Sequence, residues 1–128
     1  MKKCSLIAVL IVLLFALAAC GGPAAKLEQA DNGVALDLKS GQTFTVSLEG
    51  NPTTAYSWEV AEFDPAVVEL AGEADYKADS MLIGSGGVFK FTFKALAAGS
   101  TSLKLVYHRP WEEDVEPLEV FEVTVNVK

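Results

Sequence analysis

The chain of 128 residues contains one histidine and two cysteines, and beyond its first twenty residues no segment keeps a 3.6-residue apolar period. Each scarcity excludes something. With His108 the sole imidazole, a Ser–His–carboxylate arrangement has one candidate base of that kind. That base sits beside Arg109 at the end of an alternating stretch and reads as a strand-edge histidine without a catalytic role. A metal site of the usual type needs several His or Cys ligands, so neither metal nor cofactor is expected. Cys4 and Cys20 both fall in the first twenty residues, so the rest of the chain must be held by its core without a disulfide. Basic residues are few, 10 Lys+Arg against 17 Asp+Glu for a net charge of −7. That balance excludes the basic face a nucleic acid requires and is wrong for adsorption to anionic lipid. Carboxylates are plentiful, but the run Glu112, Glu113, Asp114 and Glu116 reads as solvated loop surface. It does not suggest the spaced acid–base pair of a glycosidase. An enzyme is not expected.

The first twenty residues have the pattern of a targeting segment. Lys2 and Lys3 precede an unbroken apolar run, Leu6 to Ala19. The run falls short of the roughly 20 residues that span a hydrocarbon core and suits the apolar region of a secretory signal. It ends in Leu17-Ala18-Ala19-Cys20, which resembles a lipobox. Residues 1–19 are therefore expected to be removed and Cys20 to carry lipid, with acyl chains contributing about 0.8 kcal/mol per buried methylene to anchoring. An ordinary signal cut after an Ala-x-Ala-like site, with Cys20 incidental, is the alternative. The expected location is the cell envelope, by lipid anchor, and the outer membrane if the cell is Gram-negative, since Gly21 and not aspartate follows Cys20. Loss of Lys2 and Lys3 moves the formal charge from −7 to −9. Residues 20–32, which begin with the small-residue stretch Gly21-Gly22-Pro23-Ala24-Ala25, are expected to form a flexible tether. Residues 33–128 are expected to form one domain without internal repeats.

From Gly33 onward the apolar period is two. Val34, Leu36 and Leu38 alternate with polar or small residues, as do Phe44, Val46 and Leu48, then Tyr56, Trp58 and Val60. After a turn at Asp64-Pro65 comes the short apolar stretch Val67 to Leu70. Phe89, Phe91 and Phe93 alternate next, then Leu103, Leu105 and Tyr107, and finally Phe121, Val123, Val125 and Val127. Such alternation gives strands with one buried and one wet face. Seven or eight short antiparallel strands in about 95 residues predict an all-β, immunoglobulin-like Greek-key sandwich, with a small barrel as the alternative. The phenylalanine row and Trp58 are expected in the core, and the protein is expected to be monomeric.

Three connections stand out. Asn51-Pro52-Thr53-Thr54-Ala55-Tyr56 follows the Leu48 strand. Pro52 fixes φ and Asn51 can bond the backbone two residues on, which stiffens a loop carrying two hydroxyls. Gly84-Ser85-Gly86-Gly87 precedes the phenylalanine strand, and its glycines permit close approach of another backbone. Neither a Lys-Ser/Thr pair nor a helix follows, so it does not cradle phosphate. Arg109-Pro110-Trp111 sets two residue types that anchor protein interfaces beside a rigid proline. In a Greek-key sandwich all three connections can emerge at one end.

Taken together and in this order, the three segments resemble the signature of the chagasin family of cysteine-peptidase inhibitors (I42): Asn-Pro-Thr-Thr-Gly-aromatic, then Gly-x-Gly-Gly, then Arg-Pro-Trp or Phe. The resemblance covers roughly Gly33 to Lys128. It implies an Ig-like fold and reversible, tight inhibition of papain-like cysteine proteases by occlusion. Asn51, Pro52, Thr53, Thr54, Ala55 and Tyr56 would form the central wedge over the catalytic Cys–His pair. Gly84, Ser85, Gly86 and Gly87 would lie along the non-primed wall, and Arg109, Pro110 and Trp111 would clamp the primed side. Ala55 departs from the family's glycine. If the position needs positive φ, alanine adds roughly 1–2 kcal/mol of strain. Were that strain to fall on binding, 1.4 kcal/mol is about a tenfold loss, and Ala55→Gly is then expected to tighten inhibition. Two rival readings use the same loops: a surface adhesin or binding lipoprotein with a non-protease partner, and a structural envelope lipoprotein.

Overall fold

The computed structural model describes residues 22–80 and 84–128. They form nine strands in two facing sheets. The strands are β1 (Ala25–Glu28), β2 (Ala35–Leu38), β3 (Thr43–Gly50), β4 (Ser57–Glu62), β5 (Val68–Leu70), β6 (Asp75–Ala78), β7 (Gly87–Ala95), β8 (Gly99–His108) and β9 (Glu119–Val127). One sheet runs β1-β3-β7-β5, with β6 also pairing β7, and the other runs β2-β9-β8-β4. Among the described residues no helix is long and apolar enough to cross a membrane. The expected lipid site at Cys20 and the segment 1–19 that is expected to be removed lie outside the described residues.

The period-two pattern sets the core. Phe44, Val46 and Leu48 of β3 face Leu103, Leu105 and Tyr107 of β8 and Phe121, Val123 and Val125 of β9 within one buried cluster. Phe93 is 0% exposed and stacks on Phe44 with ring centroids 5.2 Å apart. Trp58 is buried as expected, at 5% exposure, and its indole Nε1–H donates to the Glu49 carbonyl at 2.9 Å. That bond satisfies the one polar atom the ring carries inward. Phe91 and Phe93 are core, whereas Phe89 is only half-buried and packs under Tyr76, with centroids 4.8 Å apart.

Three features depart from the sequence reading. The sheets are mixed, not wholly antiparallel: β1 runs parallel to β3 and β2 parallel to β9. The described part of the expected tether is folded from Ala25 onward. Leu27, 7% exposed, alternates with Lys26 and Glu28 and closes the β3 edge, and a short 3₁₀ turn follows at Gln29–Asp31. Asn32 then ties this segment to β9, its side-chain carbonyl accepting from the Glu122 N–H at 2.7 Å. Finally, β6 is an addition. All four of its residues are exposed, so it carries no apolar alternation to read.

Register places the loops. Gly50, the end of β3, pairs with Gly87, the start of β7. Ser57, the start of β4, pairs with His108, the end of β8. The β3–β4 crossover, the β6–β7 hairpin connection and the β8–β9 hairpin connection therefore share one end of the sandwich. Because Phe93 sits between Phe44 and Phe63, Phe93→Ala is expected to cost about 3–5 kcal/mol, read as a lower urea midpoint. A midpoint within error of the parent would remove Phe93 from the structural core.

Candidate functional site

The central loop is built by its own side chains. Asn51 is extended (φ −135°) and caps a 3₁₀ turn at Pro52–Thr54. Its Oδ1 accepts from the Thr53 N–H at 3.1 Å and the Thr53 hydroxyl at 2.6 Å. The Thr54 hydroxyl donates to the Asn51 carbonyl at 2.6 Å. This is an Asx turn with proline at the first helical position, where its missing N–H costs nothing. Both threonine protons are committed inward. Their lone pairs and methyl groups are what the loop offers outward.

Two contacts join this loop to its neighbours. Asn51 Nδ2 donates to the Gly84 carbonyl at 2.9 Å, fastening the β6–β7 connection. From the other side Arg109 reaches across: Nε and Nη2 point at the Thr54 carbonyl at 3.4 and 3.3 Å. Its guanidinium carbon lies 4.5 Å from the Tyr56 ring centroid, a cation–π contact of about 0.5–1 kcal/mol at an exposed site. Arg109 Nη1 also donates to Glu112 at 3.2 Å. Pro110 and Trp111 project beyond this clamp. Trp111 is 65% exposed, a large apolar side chain held at a loop tip.

Beneath the loops lies a residue whose role the sequence does not reveal. Alternation makes Tyr107 a core residue, and its ring does sit against Tyr56 and Trp58, with centroids 5.4 and 5.2 Å apart. Its hydroxyl, however, accepts from the Asn51 N–H at 2.8 Å and turns back toward the Asn51 carbonyl at 3.4 Å. The one sequence signal for this is a tyrosine, not a phenylalanine, at the last inward position of its strand.

The glycine loop divides in two. Gly84 (φ +84°) is exposed with open space where a side chain would project. The Ser85 hydroxyl donates to the Ser80 carbonyl at 3.0 Å, and the Asp79 N–H donates to the Gly86 carbonyl at 2.9 Å. Gly87 serves the fold itself. A Cβ there would lie 2.3 Å from the Lys77 carbonyl oxygen and 2.6 Å from the Tyr76 hydroxyl oxygen. It is buried, and its lack of a side chain lets β6 and Tyr76 close over β7.

The other polar residues singled out in the sequence lie at the surface. His108 Nε2 lies 2.7 Å from Glu59 Oε2, an ordinary surface pair. Glu113, Asp114 and Glu116 are exposed. Among the described residues no group of three His, Cys, Asp or Glu is arranged to hold a metal ion.

The fold and site thus define a two-sheet β-sandwich that carries, at one end, three loops bonded to one another, one of them tipped by an exposed tryptophan. Residues 37–125 match the model of the chagasin family of peptidase inhibitors, I42, and the chain belongs to that family. It is 31% identical over 105 residues to chagasin of Trypanosoma cruzi, covering 77% of this chain and 93% of that protein. It is 30% identical to amoebiasin-1 of Entamoeba histolytica, over 80% of this chain and 98% of the relative. The crystal structure of the cysteine protease inhibitor EhICP2 from Entamoeba histolytica superposes with a TM-score of 0.72 at 27% identity, across 84% of this chain and all of that one. The protein is an inhibitor of cysteine peptidases and not an enzyme.

Ala55 is left-handed in the unbound chain, at φ 71° and ψ 2°. The strain is therefore present before any partner arrives and falls on folding, not on binding. Ala55→Gly relieves about 1–2 kcal/mol and gives back about 0.4–1 kcal/mol through the freer unfolded chain. The expected result is a Tm higher by up to a few degrees, with an inhibition constant changed less than threefold. Tenfold tighter inhibition at constant Tm would return the strain to the binding step.

Tyr107→Phe keeps the ring and deletes the acceptor of the Asn51 N–H. Leaving that donor unpaired is expected to cost about 1–3 kcal/mol. The Asn51 amide should exchange with solvent faster, while amides at the middle of β8 keep their protection. Equal protection at Asn51 in both proteins would mean the hydroxyl does not hold the loop.

Proposed function

We propose that the three-loop edge occludes the catalytic cleft of a papain-type cysteine peptidase, and that the chain does so as an exported protein anchored by lipid on Cys20. In this reading the Asn51–Tyr56 loop is the central wedge over the catalytic pair. Gly84, Ser85 and Gly86 lie along the non-primed wall, with Gly87 seating the strand behind them, and Arg109, Pro110 and Trp111 clamp the primed side. The observation that carries it is the double linkage of the wedge, Asn51 Nδ2 to Gly84 on one side and Arg109 to Thr54 and Tyr56 on the other. Loops fastened in this way lose little conformational freedom on docking. They suit a protease–inhibitor interface of about 1,600 Å² formed with little backbone movement.

Inhibition here is steric. The backbone of the wedge curls into a 3₁₀ turn, so it does not lie extended across the cleft as a cleavable substrate does. Trp111 is the expected hot spot: truncating an exposed tryptophan that becomes buried on docking costs about 2 kcal/mol or more, about thirtyfold in affinity.

The test is a titration of papain with the chain from Gly22 onward. Stoichiometric or nanomolar competitive inhibition is expected, with Trp111→Ala weakening it at least thirtyfold and a Thr53/Trp111 double alanine variant weakening it further. A folded protein that leaves several papain-like enzymes untouched at micromolar concentration would favour a surface binding module with a different partner.

A further inference from the structure

The parallel pairing of β1 with β3 fixes which end of the sandwich the amino-terminal segment leaves. Ala25 stands opposite Phe44 and Glu28 opposite Ser47, and the Ala24 N–H donates to the Thr43 carbonyl at 2.7 Å. The chain thus enters the fold beside the first residue of β3. The loop end lies at the other extreme of that strand, where Gly50 passes into Asn51. From Phe44 to Asn51 at about 3.3 Å per residue is about 23 Å.

The entry end is closed by its own turns. The Gly41 N–H donates to the Ala95 carbonyl at 2.8 Å, the Leu96 N–H to the Val67 carbonyl at 2.8 Å, and the Lys128 N–H to the Leu38 carbonyl at 2.9 Å. None of the described residues of the three loops takes part in these bonds. Leu27 is buried in the core, so the segment cannot swing toward the loops without tearing β1 out of the sheet.

We propose that β1 is an orientation clamp: it holds the anchor and the inhibitory edge at opposite poles, so that the loops face away from the membrane toward a soluble peptidase arriving from the aqueous side. The inference rests on the reading of Cys20 as the lipidated residue. Ala24 follows Cys20 by only four positions, a reach of at most about 14 Å, so the base of the sandwich is held near the headgroups. The net charge of −9 that remains after residues 1–19 are removed disfavours lying flat on an anionic surface. A freely jointed tether of residues 20–32 would impose no such orientation. The ordered strand replaces most of that slack.

The experiment uses the full-length lipidated protein in phosphatidylcholine vesicles that carry a headgroup energy acceptor. After Cys20 the chain has no cysteine, so a donor dye can be placed at one added thiol. Ala97→Cys marks the β7–β8 turn at the base, and Glu113→Cys marks the loop end; both positions are exposed. The base label is expected to lose most of its emission to the membrane acceptor and the loop label to keep most of its own. Vesicle-bound protein is also expected to inhibit soluble papain within about threefold of the detergent-released form. Equal or reversed quenching, or a tenfold loss of inhibition on the vesicle, overturns the orientation. Protein that does not fractionate with vesicles overturns the anchor and the orientation together. Protein that is bound loops-outward yet inhibits neither papain nor its relatives overturns the protease reading alone.

Discussion

The hydrogen bond between the Tyr107 hydroxyl and the Asn51 backbone is the point on which the rest depends. The tyrosine ring belongs to the core and its oxygen to the loop end. Through it the position of the central loop is set by the packing of two sheets. Asn51 then distributes that position: its amide nitrogen fixes the glycine loop, its Oδ1 shapes the Pro52–Thr54 turn, and its carbonyl receives Thr54. One asparagine engages nearly all its hydrogen-bonding capacity within its own protein, which is why a surface loop can be rigid without a disulfide.

This division of labour explains what is legible in the sequence. Six of the strands follow from period-two alternation, because a sandwich strand buries every second side chain and the order of residues records it, and β5 follows from the short apolar stretch Val67 to Leu70. β6 leaves no trace since neither of its faces is buried, and β1 is concealed because a single Leu27 is too short a pattern to separate from a tether. The parallel direction of β1 and β2 is invisible to periodicity, which is the same for either direction. At the loop end the residue types are readable but their connections are not. Nothing in Asn51-Pro52 announces that its amide reaches Gly84, thirty-three residues away, or that Arg109 spans to Thr54. The glycine loop reads in sequence as uniformly open to a partner, whereas Gly87 is required by Tyr76 above it.

Ala55 illustrates how location decides which property a strained residue affects. A left-handed alanine that formed only on docking would weaken the complex. One already left-handed in the free protein carries its strain in the folded chain before any partner is met. The neighbouring bonds over-determine the turn, with the Ala55 N–H held to the Pro52 carbonyl at 3.0 Å. The sandwich core, with Phe44, Phe93 and Phe121 at essentially no exposure, supplies the stability that absorbs the strain.

The two tryptophans sit in opposite environments: Trp58 inside, bonded to a carbonyl, and Trp111 at the outermost tip. The protein thus carries two natural fluorophores with separate assignments. Loss of the core would change the surroundings of Trp58, whereas a partner seated on the loop end would change those of Trp111 alone, so the two events would be told apart by the molecule's own indoles.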